Sequence, residues 1–438
     1  MKSTVALLLI GVCCWVAVCP EVSAQETSPA APTAAPVPSI APDADPATAT
    51  RAWLDTVPAD KREKSDAYFE GGYWLILWNF LLGAGISIFL LSSRISARLR
   101  DFAERRTRFK AVQVSIYAIA YLLITTLLSF PLLVYERFFR EHKYGLATQT
   151  FGAWFGEQMT ALAVGVIGFT ILLIVLYAVF RRAPRTWWVW GTVVVTFFLA
   201  LGVMISPIYI EPLFNKYKPL TDPVISESIL AMARANQIPV TQVFEVDASR
   251  QTNRISANVA GFLGTTRIAL NDNLLKQCTL PEIRSVMAHE MGHYVLNHIT
   301  KLLTNFAVLT LISFALAKTL FEAAVRRWGE RWNVHGIADP AGLPLLALIF
   351  GVISFALFPI NNTITRVGEV EADAFGLNLA REPNGFAKVA LKLGTYRKLD
   401  PSPIEEFIFF DHPSGRARIR MAMDWKAAKL PAGGNESR

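Results

Sequence analysis

The sequence predicts an all-α polytopic membrane protein of six or seven transmembrane helices with a small inserted α+β domain, and three observations carry that prediction. Of 438 residues 53% are hydrophobic, and the mean hydropathy of +0.35 is too apolar for an ordinary soluble protein. The apolar residues are gathered in runs near the ~20 residues needed to cross a ~30 Å hydrocarbon core. Between the fourth and fifth runs lies a stretch of different character, in which His289, Glu290, His293 and His298 fall within ten residues.

In chain order, Lys2, an apolar run over residues 5–18 and then Val22-Ser23-Ala24 have the charged start, short core and small-residue exit of a secretory signal cleaved after Ala24. A first transmembrane helix is the other reading of residues 1–24. Residues 25–50, rich in Pro and Ala, read as a disordered linker. Four spans are expected at 73–91, 112–135, 159–180 and 187–210, and two more at 303–321 and 343–360. Tyr73, Trp74, Trp154, Trp187, Trp188 and Trp190 sit at their ends as interfacial anchors. The expected division is a membrane unit over 51–210, a histidine-bearing unit over 211–301, two spans over 302–361, the rest of the site over 362–424 and a disordered tail over 425–438. Within 250–275, Val259, Gly261, Ile268 and Leu270 stand among polar residues, which predicts two short strands joined at Gly264-Thr265-Thr266. Of four cysteines, Cys13, Cys14 and Cys19 lie in the first segment, so cleavage would leave Cys278 alone, a buried thiol.

The net charge of +8 does not point to nucleic acid, because the basic residues concentrate in loops between spans. Residues 94–110 hold seven Lys/Arg, 181–185 three and 322–341 three, whereas 136–158 holds three balanced by acids. The positive-inside rule puts the first three loops in the cytoplasm. Residues 211–300 and the tail then face outward, which in a bacterial inner membrane is the periplasm.

His289-Glu290-Met291-Gly292-His293 is the pattern of a zinc metallopeptidase. On a helix i and i+4 share a face, so both histidines can hold one metal ion while Glu290, turned about 100° away, holds and deprotonates the water in the open position. A continuing helix would carry His298 to the opposite face, which leaves it as a helix-end or outer group. The third ligand must come from elsewhere. Downstream, Glu369 and Asp373 share a helical face at i,i+4 with Glu371 turned away; Glu369 could ligate and Asp373 could accept the other ring N–H of a ligand histidine. A solvated acidic face is the alternative for that helix, and a surface helix without metal the alternative for the histidines. For His412, spacing alone does not separate a site residue from a turn histidine before Pro413.

Taken together, His289-Glu-Met-Gly-His293, Glu369-Val-Glu-Ala-Asp373-Ala-Phe and His412-Pro-Ser-Gly-Arg-Ala-Arg418 resemble the M48 family of membrane zinc peptidases, and within it the type I CAAX prenyl endoproteases. The stretches at 141–150, 210–216 and 250–275 agree, and the resemblance runs over residues 68–421. It implies His289, His293 and Glu369 as ligands of one Zn2+, Glu290 as general base, Asp373 in support of a ligand, His412 at the oxyanion and Arg418 packed against the site's carboxylates. It also implies that Asn258 lies on a segment that pairs with extended substrate, and that the helices enclose a water-filled chamber. Eukaryotic members present the zinc domain to the cytosol, opposite to the charge count, and the charge count is preferred. The expected activity is hydrolysis of peptide bonds in membrane-associated or exported peptides, lipidated ones included, with the bilayer as partner and no nucleic acid. The alternatives are an HtpX-like quality-control protease and a non-catalytic scaffold on a peptidase fold. Retention of all three ligands and Glu290 argues against the scaffold.

Overall fold

The computed structural model describes residues 37–38, 44–260 and 266–430. The signal-like segment with Cys13, Cys14 and Cys19, most of the expected linker, Gly261, Gly264 and Thr265 around the expected turn, and residues 431–438 of the expected tail lie outside them. The linker reading ends early, because α1 (Pro46–Asp55) is already a helix, with Asp45 accepting the Ala47 and Thr48 amides at its start. Long helices follow: α2 (Ala59–Ser92), α3 (Ile95–Arg106), α4 (Lys110–Val134), the short α5 (Arg140–Lys143), α6 (Phe151–Arg182) and α7 (Trp187–Ile205). A π-turn at Tyr135–Phe139 joins α4 to α5, four residues after Pro131 removes a backbone donor from α4.

The inserted domain then begins with β1 (Tyr217–Pro219), α8 (Pro223–Ala235), β2 (Val243–Val246), β3 (Ala257–Ala260), β4 (Arg267–Asn271) and α9 (Asp272–Gln277). Its sheet has the order β1-β2-β4-β3, with β2 and β4 parallel and the other pairs antiparallel. β3 is therefore an edge. Beneath the sheet, Ile229, Ile268, Leu270, Leu274, Met287 and Met291 form a buried apolar core. Helix α10 (Leu280–Val295) carries the two histidines, and α11 (His298–Trp332) returns to the membrane bundle.

Five helical segments among the described residues are long and apolar enough to span a membrane: Ala59–Ser92, Lys110–Lys143, Phe151–Arg182, Trp187–Leu213 and His298–Trp332. The expected sixth span at 343–360 is instead broken. Helices α12 (Leu343–Ala356) and α13 (Phe358–Ala380) meet at a bend of 57°. Pro359 offers no amide hydrogen to the Phe355 carbonyl, and its ring crowds that carbonyl, so the axis turns there. The bend directs α13 onto α10. The chain closes with α14 (Pro383–Leu393), α15 (Pro403–Phe409) and α16 (Gly415–Lys429), the last running past residue 425, where the sequence predicts the start of a disordered tail. Trp53 and Leu54 of α1 are buried in one core with Phe386, Ile419 and Met423, which is why the end of the Pro/Ala stretch folds.

The Arg-rich loops share one end of the bundle, where Arg94 Nε donates to the Arg331 carbonyl at 2.8 Å and Arg100 Nη1 to Asp339 Oδ2 at 2.7 Å. At the other end the 136–158 loop meets the inserted domain, with Arg254 Nη2 2.5 Å from Glu141 Oε2 and the Thr148 amide donating to the Gln251 carbonyl at 2.9 Å.

Helices α10 and α13 touch through glycines. A Cβ on Gly376 would stand 2.9 Å from the His289 amide nitrogen and 3.1 Å from its Cα, and one on Gly292 3.2 Å from the Ala372 Cα. Gly376→Ala is expected to separate the helices at a cost of about 1–3 kcal/mol, the usual scale of overpacking. Both the thermal midpoint and the bound metal of the purified protein should fall; unchanged values for both would show that α10 and α13 need not be this close.

Candidate metal centre

Helix α10 is anchored at its start by Thr279, whose amide and hydroxyl donate to Glu282 Oε2 at 2.6 and 2.7 Å, and by Lys392 Nζ, 2.7 Å from Glu282 Oε1. Burial works to raise the Glu282 carboxyl, but the bonds from Lys392 and Thr279 outweigh it and hold it below the usual carboxylate range. This fixes the helix about two turns before His289.

Around the centre, His289 Nε2 is 3.1 Å from His293 Nε2 and 3.3 Å from Glu369 Oε2, while His293 Nε2 is 3.8 Å from the same carboxylate oxygen. A tetrahedral ion with bonds of about 2.0–2.1 Å separates its ligand atoms by about 3.4 Å, so these three atoms fit one metal ion. Three ligands of this type leave a fourth position open, as catalytic rather than structural sites do. Glu290 Oε1 lies 3.9 Å from His289 Nε2, outside the trio and facing the same cleft.

Each of the two histidines has a partner behind it. His289 Nδ1 donates to Asp373 Oδ1 at 2.6 Å, and Arg418 grips Asp373 with Nε to Oδ2 at 2.9 Å and Nη2 to Oδ1 at 2.6 Å. Asp373 is fully buried, so the bidentate guanidinium supplies the compensating charge that burial demands. His293 Nδ1 stands 2.6 Å from His298 Nδ1, and His298 Nε2 stands 2.9 Å from Glu371 Oε2, which Lys301 Nζ approaches to 2.6 Å. With Glu371 accepting, a neutral His298 carries its proton on Nε2 and accepts at Nδ1. The His293 proton then sits on Nδ1, which leaves its Nε2 lone pair turned toward Glu369.

This outer chain is only partly visible in the sequence. The rotation argument for His298 assumes a continuing helix, but α10 ends at Val295 and Asn297 adopts φ 53° before α11 starts at His298. Asparagine tolerates the left-handed conformation, so Asn297 is the signal for the break. Glu371 faces His298 rather than solvent alone.

His412, in the turn between α15 and α16, brings Nε2 to 3.4 Å from Glu369 Oε2 and Nδ1 to 2.7 Å from Asp411 Oδ1. Burial first and then the positive charge of Arg397 push its pKa down, against the pull of Asp411. Asn258 lies on the edge strand β3, with Oδ1 buried and without a hydrogen-bond partner among the described residues. A cavity of about 360 Å³ joins these groups, with Glu290, His412 and Asn258 among its lining residues and Leu302, Leu303 and Phe306 among the apolar ones. Cys278 is half-buried, its thiol pushed up to about 11 chiefly by burial, and it stands apart from the site.

A His-Glu-x-x-His helix facing a carboxylate helix within a transmembrane bundle defines the class: a membrane metalloprotease. Comparison with known proteins narrows it. The model described as Peptidase family M48 matches residues 219–426, and that described as CAAX prenyl protease N-terminal, five membrane helices, matches residues 47–216. The uncharacterized metalloprotease YhfN of Bacillus subtilis (strain 168) is 30% identical over 78% of this chain and 82% of its own length. CAAX prenyl protease 1 of Saccharomyces cerevisiae is 28% identical over 70% of this chain and 71% of its own. The crystal structure of S. mikatae Ste24p shares the fold, with a TM-score of 0.71 at 22% identity over 84% of this chain and 90% of that one. The chain belongs to peptidase family M48, and a metal is therefore part of its working site.

Proposed function

We propose that the protein is a zinc endopeptidase in which His289, His293 and Glu369 hold one Zn2+ and Glu290 is the general base. The observation that carries this reading is the convergence of three ligand atoms, from α10 and α13, at separations of 3.1, 3.3 and 3.8 Å. When bound, the ion supplies Lewis acidity and a water of lowered pKa. Glu290 takes the proton of the attacking water and returns it to the leaving amine. Asp373 keeps His289 protonated at Nδ1 and so presents Nε2 as a ligand, and Arg418 holds Asp373 in place. On the same reading, the outer side of β3 receives extended substrate by main-chain hydrogen bonds, with Asn258 beside it. His412 steadies the oxyanion from Nε2, its ring oriented by Asp411 at Nδ1.

The substrate class we assign is a membrane-associated or exported peptide, and the apolar cleft wall at Leu302, Leu303 and Phe306 suits an aliphatic or lipidated chain. We place the zinc domain on the periplasmic face of a bacterial inner membrane, since the Arg-rich loops lie at the opposite end of the bundle. A reporter active only in the cytoplasm, fused after Lys301, should then be silent, and an active fusion would reverse the orientation.

The test of the activity is metal removal. Chelator-treated protein is expected to lose hydrolysis of both farnesylated and unmodified peptides and to regain it with one equivalent of Zn2+. Full activity in a metal-free sample would overturn the reading.

A further inference from the structure

Among the described residues, three cationic side chains other than histidine line the catalytic cavity: Lys301, Arg397 and Arg418. Two are neutralised inside the protein, Lys301 by Glu371 at 2.6 Å and Arg418 by Asp373 at 2.6 Å. Arg397 has no such contact. Among the described residues no carboxylate stands within ion-pair distance of its guanidinium and no oxygen accepts from it; Asp411 acts on it through charge at longer range and is itself engaged by His412 Nδ1 at 2.7 Å. Arg397 lines the same cavity as Glu290, Glu369 and His412.

The segment bearing Arg397 is also held firmly. Its own carbonyl accepts from Ser65 Oγ at 3.2 Å, the preceding Tyr396 ring lies 4.9 Å from the Arg254 guanidinium, and the following Lys398 bridges Glu70 and Glu405 at 2.6 and 2.9 Å. A guanidinium on a braced backbone, facing a cleft that binds peptide, lacks only its anion. Its planar fork matches a carboxylate with two parallel hydrogen bonds.

We infer that Arg397 is a substrate-anchoring residue that takes a carboxylate of the bound peptide. Two sources share that chemistry, the free C-terminal carboxylate and an acidic side chain. The inference rests on the endopeptidase reading of the neighbouring site, and its test is built to fail separately from that reading.

A peptide library is prepared as free acids and as C-terminal amides, each with and without Asp and Glu, and presented to the metal-loaded full-length protein. The wild type is expected to favour carboxylate-bearing peptides by about 10-fold or more in kcat/KM, the usual weight of a charge-assisted pair. Arg397→Gln should bring that ratio to about one, and Arg397→Lys should keep part of it. A ratio between free acids and amides assigns the C-terminal carboxylate; a ratio that follows Asp and Glu in the amides assigns the side chain. The same pairs are then bound, as labelled peptides, to the inactive Glu290→Gln protein and to the Glu290→Gln, Arg397→Gln double variant. The Kd ratio should vanish in the second, a readout independent of turnover. A ratio that persists without Arg397, or none in the wild type, overturns the inference. Cleavage unaffected by chelation would instead overturn the zinc reading and leave the anchor standing on the binding data.

Discussion

Replacing Glu290 with Gln is expected to lower kcat for peptide hydrolysis by about 10²–10⁴-fold, the range of a general base, while the protein keeps its fold and its metal. Gln is nearly isosteric, and the Glu290 carboxylate stands 3.9 Å from His289 Nε2, outside the trio of candidate ligand atoms, so on the proposed reading its charge is not needed to hold the ion. What the amide cannot do is accept the proton of the attacking water. The measurement is paired: metal content by elemental analysis and initial rates on one peptide set. A Glu290→Gln protein that is metal-replete and fully active would remove Glu290 from the chemistry. One that is metal-poor would make it a ligand.

Glu369→Ala is expected to act in the opposite order, with metal lost first and activity lost as its consequence. The carboxylate is 2% exposed and lies within 3.3–3.8 Å of three imidazole nitrogens, on His289, His293 and His412. Its removal leaves two neutral ligands and a cavity. Three ligands become two, and metal content should drop to near zero after dialysis at neutral pH. His298→Ala supplies the graded contrast, because it removes the group that orients His293 and leaves all three ligands. Loss of such outer support typically costs 10–100-fold in metal affinity, which chelator competition resolves. Unchanged metal in Glu369→Ala would send the search for the third ligand elsewhere. Equal losses in the two variants would mean that His298 acts on the fold rather than on His293.

Much of this protein is legible before folding because its signals are local or of fixed length. The spans are visible because only about 20 apolar residues in a row satisfy a bilayer. The histidine pair is visible because i and i+4 share a helical face, and β3 and β4 because their residues alternate on either side of a glycine-bearing stretch of sequence. The misses are where a local rule meets a distant partner. The Pro/Ala stretch reads as a linker, yet from Pro46 it is helical, because Trp53 finds its burial against α16 more than 360 residues later. The sixth span reads as continuous because its hydropathy is, although Pro359 breaks its backbone.

Hydropathy and helical periodicity specify a membrane bundle, a small sheet domain and a helix able to present two imidazoles to one ion. Tertiary structure alone decided where the site is completed. The bend at Pro359, and the two glycines that let α10 and α13 touch, bring Glu369 and Asp373 to His289 across more than 75 residues of chain. The Asn297 break turns His298 back toward His293 instead of away from it. Helical periodicity specifies directions within one element; the approach of a second element depends on packing, and packing is a property of the whole fold.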